Sequence, residues 1–490
     1  MNRQITFAEI ERWGDALKAG RTAEGMPRVE LPSFPDRNFS IVDFGAVPGG
    51  AVKNTEAINR AIAACSEAGG GTVIIPEGLW LTGPIRLQSN VNLRAEAGAL
   101  VLFSREIEDY PLVRTNWEGL DAVRRLAPIS GRGLENVAIT GPGIFDGSGH
   151  IWRSVLRSKV TENQWNELVR SGGYVENDRR WWPSEAAFHG PRIVKELDAQ
   201  GAPLEAYAAA KEFLRPVLVS LIECRRVLLD GPTFQNSPAW NLHPLLCEDL
   251  TIRNVTVRNP WYSQNGDGLD IESCRRVHVY DCRFDVGDDA ICMKSGKDEE
   301  GRRRGRPTED VFITNCIVYA GHGGFVIGSE MSGGVRNVYV THCTFIGTDC
   351  GLRFKSTRGR GGVVENIYIS HVDMIDIPTE PIRFNMYYQG GERAVLDAER
   401  KELPVTEETP IFRNIYVKDV TCRGAGRAAV LQGLPEMPIR DIVLENLHIT
   451  ATEGLVCIDG EGIELKNVEI RAALGPAMTF RHSRGVTVAG

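Results

Sequence analysis

Four short stretches of the chain carry side chains that can move protons or hold an anion. They are Asn265-Gly-Asp267-Gly-Leu-Asp270, Gly287-Asp288-Asp289, Gly321-His322-Gly-Gly324 and Leu352-Arg353-Phe-Lys355. Carboxylates gathered in one place repel, so at least one of Asp267, Asp288 and Asp289 would keep its proton toward the working pH. An acid would then stand beside bases. Cleavage of a glycosidic bond needs that pair, a proton donor for the leaving oxygen and an ionised carboxylate to activate water or attack the sugar. Arg353 and Lys355 are suited to a substrate carboxylate, the guanidinium in a bidentate mode and the ammonium as a point charge. Taken singly, each stretch reads as a turn or a solvated face. The chemistry follows only if something brings them together.

A repeat supplies that something. Cys274-Arg-Arg-Val-His-Val-Tyr-Asp-Cys282, Asp310-Val-Phe-Ile-Thr-Asn-Cys316 and Asn337-Val-Tyr-Val-Thr-His-Cys343 are variants of one alternating unit, followed by Asn366-Ile-Tyr-Ile, Asn414-Ile-Tyr-Val and Asp441-Ile-Val-Leu. With the first apolar residue of each unit as anchor, the series is Val227, Leu250, Val277, Val311, Val338, Ile367, Ile415 and Ile442, with spacings of 23, 27, 34, 27, 29, 48 and 27. A period in the twenties with insertions suits a β-solenoid, whose coils hold a few short strands each. Alternating apolar residues point inward. Counted from the anchors, the four stretches fall at a similar phase on consecutive coils, so Asp267, Asp288, Asp289, His322, Arg353 and Lys355 should converge on one groove. Cys282, Cys316 and Cys343 should stack as small apolar side chains.

The rest of the chain is read around this solenoid. Residues 54–68 have helical apolar spacing stopped by Gly69-Gly-Gly71, which predicts a helical cap on the first coil, followed by strands near residues 72–76 and 87–95. Residues 151–215, with Trp152, Trp165, Trp181 and Trp182 and a helix-like stretch over 204–214, read as an insertion, and residues 1–38 as an N-terminal extension before a single domain over 39–490. The formal net charge of −8 excludes general attraction to nucleic acid or an anionic membrane. No apolar run is long enough to span a bilayer, and the first residues lack a signal-peptide core, so the expected location is the cytoplasm, or the periplasm or exterior if the chain is a mature form. Eleven cysteines without a CxxC pair fit reduced, buried thiols and signal neither a disulfide scaffold nor a zinc site.

The ordered set Asn-x-Asp-Gly, Asp-Asp, Gly-His-Gly and Arg-x-Lys on such a repeat resembles glycoside hydrolase family 28, the polygalacturonases and their relatives. The likeness runs from Asp43-Phe-Gly-Ala46 through Asn236-Ser-Pro-Ala-Trp240 to about residue 450. It implies an all-β, right-handed parallel β-helix and inverting hydrolysis, with Asp288 as general acid, Asp267 and Asp289 activating the water, and His322 positioning the set. Arg353 and Lys355 would hold a sugar carboxylate, with Tyr388 or Tyr387 as a further contact. Asn265, Trp240, His243 and Arg303 complete the expected substrate-binding groups, Trp240 and His243 as a sugar platform or as packing residues. Gly266 stands where the family has Thr, which should loosen the first motif, and Phe354 where it has Ile. The expected substrate is an oligogalacturonide, cut in exo fashion if the 151–215 insertion closes one end of the groove, with no metal or cofactor. The rivals are a rhamnogalacturonan or other pectic hydrolase, a calcium-dependent lyase on the same fold, and a non-catalytic carbohydrate-binding β-helix.

Overall fold

Every anchor in the repeat pairs with the next across parallel strands: Val227 with Leu250, then Val277, Val311, Val338, Ile367, Ile415 and Ile442. The ladder extends to Val137 and Val91 before this series and to Ile463 after it. These coils form a right-handed parallel β-helix in the computed structural model, which describes residues 5–388 and 400–490. Inward residues such as Ile252, Val279, Ile313, Val340 and Ile369 are fully or almost fully buried in one continuous core.

Local chemistry explains the bends. The residue before each of the later anchors, Asp310, Asn337, Asn366, Asn414 and Asp441, has positive φ. Asn and Asp tolerate this left-handed conformation because their short side chains bond locally. They also stack: the Asn337 amide donates to Asp310 at 3.1 Å and Asn366 donates to Asn337 at 3.3 Å. Cys282, Cys316 and Cys343 occupy successive coils as expected, and Cys224, Cys247 and Cys274 form a second ladder that the spacing analysis did not single out. All eleven cysteines are buried and unpaired.

Among the described residues, five α-helices decorate the solenoid. Helix α1 (Phe7–Lys18) starts in a capping box formed by Thr6 and Glu9 and lays Ile10, Trp13 and Leu17 on Tyr280, Phe312, Tyr339 and Tyr368. Helix α2 (Thr55–Glu67) is the expected cap, turning Ile58, Ala61, Ile62 and Cys65 onto the first coil. Helices α3 (Glu162–Arg170) and α4 (Glu185–Ala199) belong to the insertion, and α5 (Asp298–Arg304) lies in the loop after the strand Asp289–Lys294. The stretch expected to be helical over 204–214 is a 3-10 helix, Leu204–Ala210. One element was not anticipated. An antiparallel hairpin, Leu112–Trp117 with Leu120–Arg125, leaves the solenoid before the insertion. Its tip docks on α5, where Lys297 N donates to Gly119 O at 3.1 Å and Asp121 N to Glu300 Oε1 at 2.7 Å. Among the described residues no helix is long and apolar enough to cross a membrane.

Candidate active site

Stacking of the strands that start near Leu269, Asp289, Gly323 and Cys350 brings the four stretches together. Carboxylate oxygens of Asp267, Asp288 and Asp289 lie within 4.8 Å of one another. Asp289 accepts from Lys355 Nζ at 2.6 Å and Arg353 Nη1 at 3.3 Å. Asp288 Oδ1 faces His322 Nδ1 at 3.2 Å and also takes the Asp289 backbone N–H at 3.0 Å. Tyr388 sits over both cations, its ring centre 4.9 Å from Lys355 Nζ and 5.8 Å from the Arg353 guanidinium carbon. Three acids, a histidine and two cations therefore share one face, as the coil register predicted. A divalent cation would fit the spacing of the three oxygens, but Lys355 and Arg353 already balance Asp289 with fixed charge.

The two outer carboxyls differ in what surrounds them. Asp267 is buried with its Oδ1 lacking a hydrogen-bond partner. Burial first, then the charges of Asp288, Asp270 and Asp289, raise it well above the usual aspartate range. Burial also opposes ionisation of Asp288, but the hydrogen bond and charge of His322, with Lys355 and Arg353, outweigh it and hold this carboxyl well below its usual range. His322 loses affinity for its proton through burial and regains more than that from Asp288, so it is raised overall. The same surroundings therefore push the two carboxyls in opposite directions, Asp267 toward keeping its proton and Asp288 toward ionisation beside His322.

Gly266 does not loosen the first motif. A Cβ there would meet Ser263 Oγ at 1.9 Å, so Ser263 fills the space that the family's Thr would take, and its hydroxyl is fixed on Pro260 O at 2.6 Å. Asn265, at φ 52°, is held by Arg215 Nη2 at 2.6 Å. Trp240 and His243 lie on the groove's own sheet, covered as packing residues. Trp240 is stacked on Trp117 and His243 is bonded to Glu272 at 2.7 Å, both 2% exposed. Arg303 is exposed on α5, whereas Arg302 and Arg304 are spent on Gly359 O and Glu272.

Several neighbours of the site escaped the sequence. Lys294 is buried with its Nζ 2.8 Å from Glu330, 3.9 Å from Asp270 and 4.9 Å from the Trp240 ring centre. Strand periodicity from Asp289 could have found it. Burial disfavours the Lys294 charge, yet its anionic surroundings raise it, while Lys294 and Lys355 pull Glu330 down to about 2 against the effect of its own burial. The insertion sends Lys159 to within 3.1 Å of His322 Nε2, a contact with no signal in the sequence. Insertion and hairpin together bound a cavity of about 300 Å³ beside Asn265, with Arg124, Arg180, Arg215, Trp117 and Trp182 in its wall.

Comparison with known proteins bears on this arrangement. Residues 194–473 match the model of glycosyl hydrolases family 28. A probable polygalacturonase of Vitis vinifera is 30% identical over 91% of this chain and 82% of its own length. An exo-poly-alpha-D-galacturonosidase of Dickeya chrysanthemi is 25% identical over 99% of this chain and 78% of its own. The crystal structure of a hyperthermoactive exopolygalacturonase from Thermotoga maritima superposes with a TM-score of 0.78 at 32% identity, covering 96% of this chain and 97% of that one. With the triad, the His and the Arg-x-Lys pair all on one face of a right-handed β-helix, the chain belongs to glycosyl hydrolases family 28.

Proposed function

We propose that this glycoside hydrolase removes galacturonic acid from one end of α-1,4-linked pectic oligosaccharides, with inversion. The observation that carries the reading is the cationic cradle of Lys355, Arg353 and Tyr388 placed directly against Asp289 and next to the Asp288–His322 pair. A uronate carboxylate entering there takes over hydrogen bonds that Asp289 now accepts and brings the scissile bond to the acids. His322 stores a proton 3.2 Å from Asp288 Oδ1. As the leaving oxygen arrives, that proton passes from His322 through Asp288 to the oxygen, leaving His322 neutral and Asp288 ionised, while the Asp289 carboxylate takes the proton of the attacking water and Asp267 orients it. Asn265, fixed by Arg215, borders the glycone side.

Exo attack is supported by the hairpin tip, which bridges to α5 at one end of the groove, and by the cavity that hairpin and insertion bound beside Asn265. The names of the Dickeya and Thermotoga relatives point the same way. Eleven unpaired, buried thiols support a reducing compartment, the cytoplasm. Product analysis on a defined galacturonate oligomer tests the reading. Monomer alone is expected; a ladder of lengths overturns exo attack, and an unsaturated, ultraviolet-absorbing product overturns hydrolysis. The stereochemistry has a separate test. The carboxyl oxygens lie within 4.8 Å, nearer the ~5–5.5 Å of retaining pairs than the ~6.5–9.5 Å of most inverting ones. Proton NMR of the fresh product should show the β-anomer, and the α-anomer would exclude inversion.

A further inference from the structure

Against the hairpin lies a second cavity of about 350 Å³, lined by none of the three aspartates. Its floor is the outward face of the groove's own sheet at earlier coils, where Ser130, Ser220 and His243 are in register. Its wall carries Arg86, Arg114, Arg124, Arg125 and Arg132, and none of the described residues lining it is acidic. Carboxylates do stand nearby: Glu223 is 3.8 Å from Arg132, Glu108 and Glu212 act on Arg125, and Glu118 acts on Arg124.

The cavity offers guanidinium groups at the exposed positions Arg86, Arg114 and Arg132, with the hydroxyls of Thr115, Ser130 and Ser220 beside them. Guanidinium groups form charge-assisted hydrogen bonds to an anion, and hydroxyls both donate and accept. That set suits an anion that also carries hydroxyl groups. We propose that this cavity is a second, non-catalytic binding site for a uronate, of monosaccharide or disaccharide size. Trp117 and Arg124 line this cavity and the one beside Asn265, so a ligand against the hairpin steadies the element at that end of the groove. The choice of a uronate rests on the galacturonan reading; the anionic, hydroxylated character of the ligand does not.

Calorimetric titration of the whole enzyme with sodium galacturonate tests this. Two sites are expected. Lys355→Ala should abolish the catalytic one. The double variant Arg114→Ala with Arg132→Ala, both exposed positions, should weaken the other by about tenfold or more. In the Lys355→Ala protein, galacturonate should slow amide exchange over residues 112–125. A single site removed by Lys355→Ala overturns the proposal, as does exchange over the hairpin that galacturonate leaves unchanged. Inorganic phosphate that binds the second site and is not displaced by galacturonate also overturns the uronate assignment. If oligogalacturonides are not hydrolysed while the arginine-dependent site still binds galacturonate, the substrate reading falls and this inference stands. Hydrolysis with no second site removes this inference and leaves the substrate reading standing.

Discussion

Two outer faces of the solenoid use the same device with opposite results. Under α1, the in-register positions Tyr339, Tyr368 and Tyr416 stack ring on ring at 5.6 and 4.8 Å, and Trp13 meets Phe312 and Tyr339 edge-on at 5.8 and 5.0 Å. On the groove face, the stacked positions hold carboxylates, and Asp267 and Asp270 are left with unbonded oxygens. Parallel stacking repeats whatever the register carries. Aromatic rungs add dispersion and exclude water, whereas acidic rungs accumulate repulsion that protons or cations relieve. One face is therefore a cover and the other a reservoir of electrostatic strain.

The comparison breaks most sharply at Asp288. Asp288→Asn is expected to lower turnover about 100-fold or more while leaving a folded enzyme, to be checked by kinetics beside a melting curve. On the other face, Trp13→Ala should cost about 3–5 kcal/mol of stability through the cavity it opens, with turnover per folded molecule preserved; denaturant unfolding measures it. A third change separates strain from cover. Because the Asp267 carboxyl is raised in the folded protein, its favourable contribution is fully present below its unfolded value of about 3.9 and is lost as pH rises through the folded one. Asp267→Asn should therefore raise the melting temperature at neutral pH, the gain shrinking as pH falls toward about 4 and vanishing below it, even as activity is lost. The smallest effect belongs to Lys159, whose charge lowers the affinity of His322 for its proton. Lys159→Ala should move the alkaline limb of the kcat/KM profile upward, and a downward movement would remove Lys159 from the account.

What the sequence made legible was whatever the register governs. Val227 to Ile442 lie in one ladder, and the groove residues follow from counting along it, because a period-two strand repeated every coil leaves no freedom in which side faces out. Elements that leave the register were not legible. The hairpin at Leu112–Arg125 and the Lys159 contact depend on long-range docking that no local spacing encodes. Trp240 and His243 show the boundary between the two: phase placed them on the groove's sheet, but Trp117 from the hairpin covers one and Glu272 takes up the other. Gly266 shows it again, since only the folded loop reveals Ser263 in the missing side chain's place.

The bridge from hairpin tip to α5 has a consequence for how the enzyme meets a polymer. A cleft shut at one end admits chain termini and not chain middles, so the number of ends, rather than the mass of polysaccharide, sets the working substrate concentration. Reducing sugar should accumulate while the viscosity of a long galacturonan hardly falls. Prior nicking of the polymer should speed release in proportion to the ends it creates.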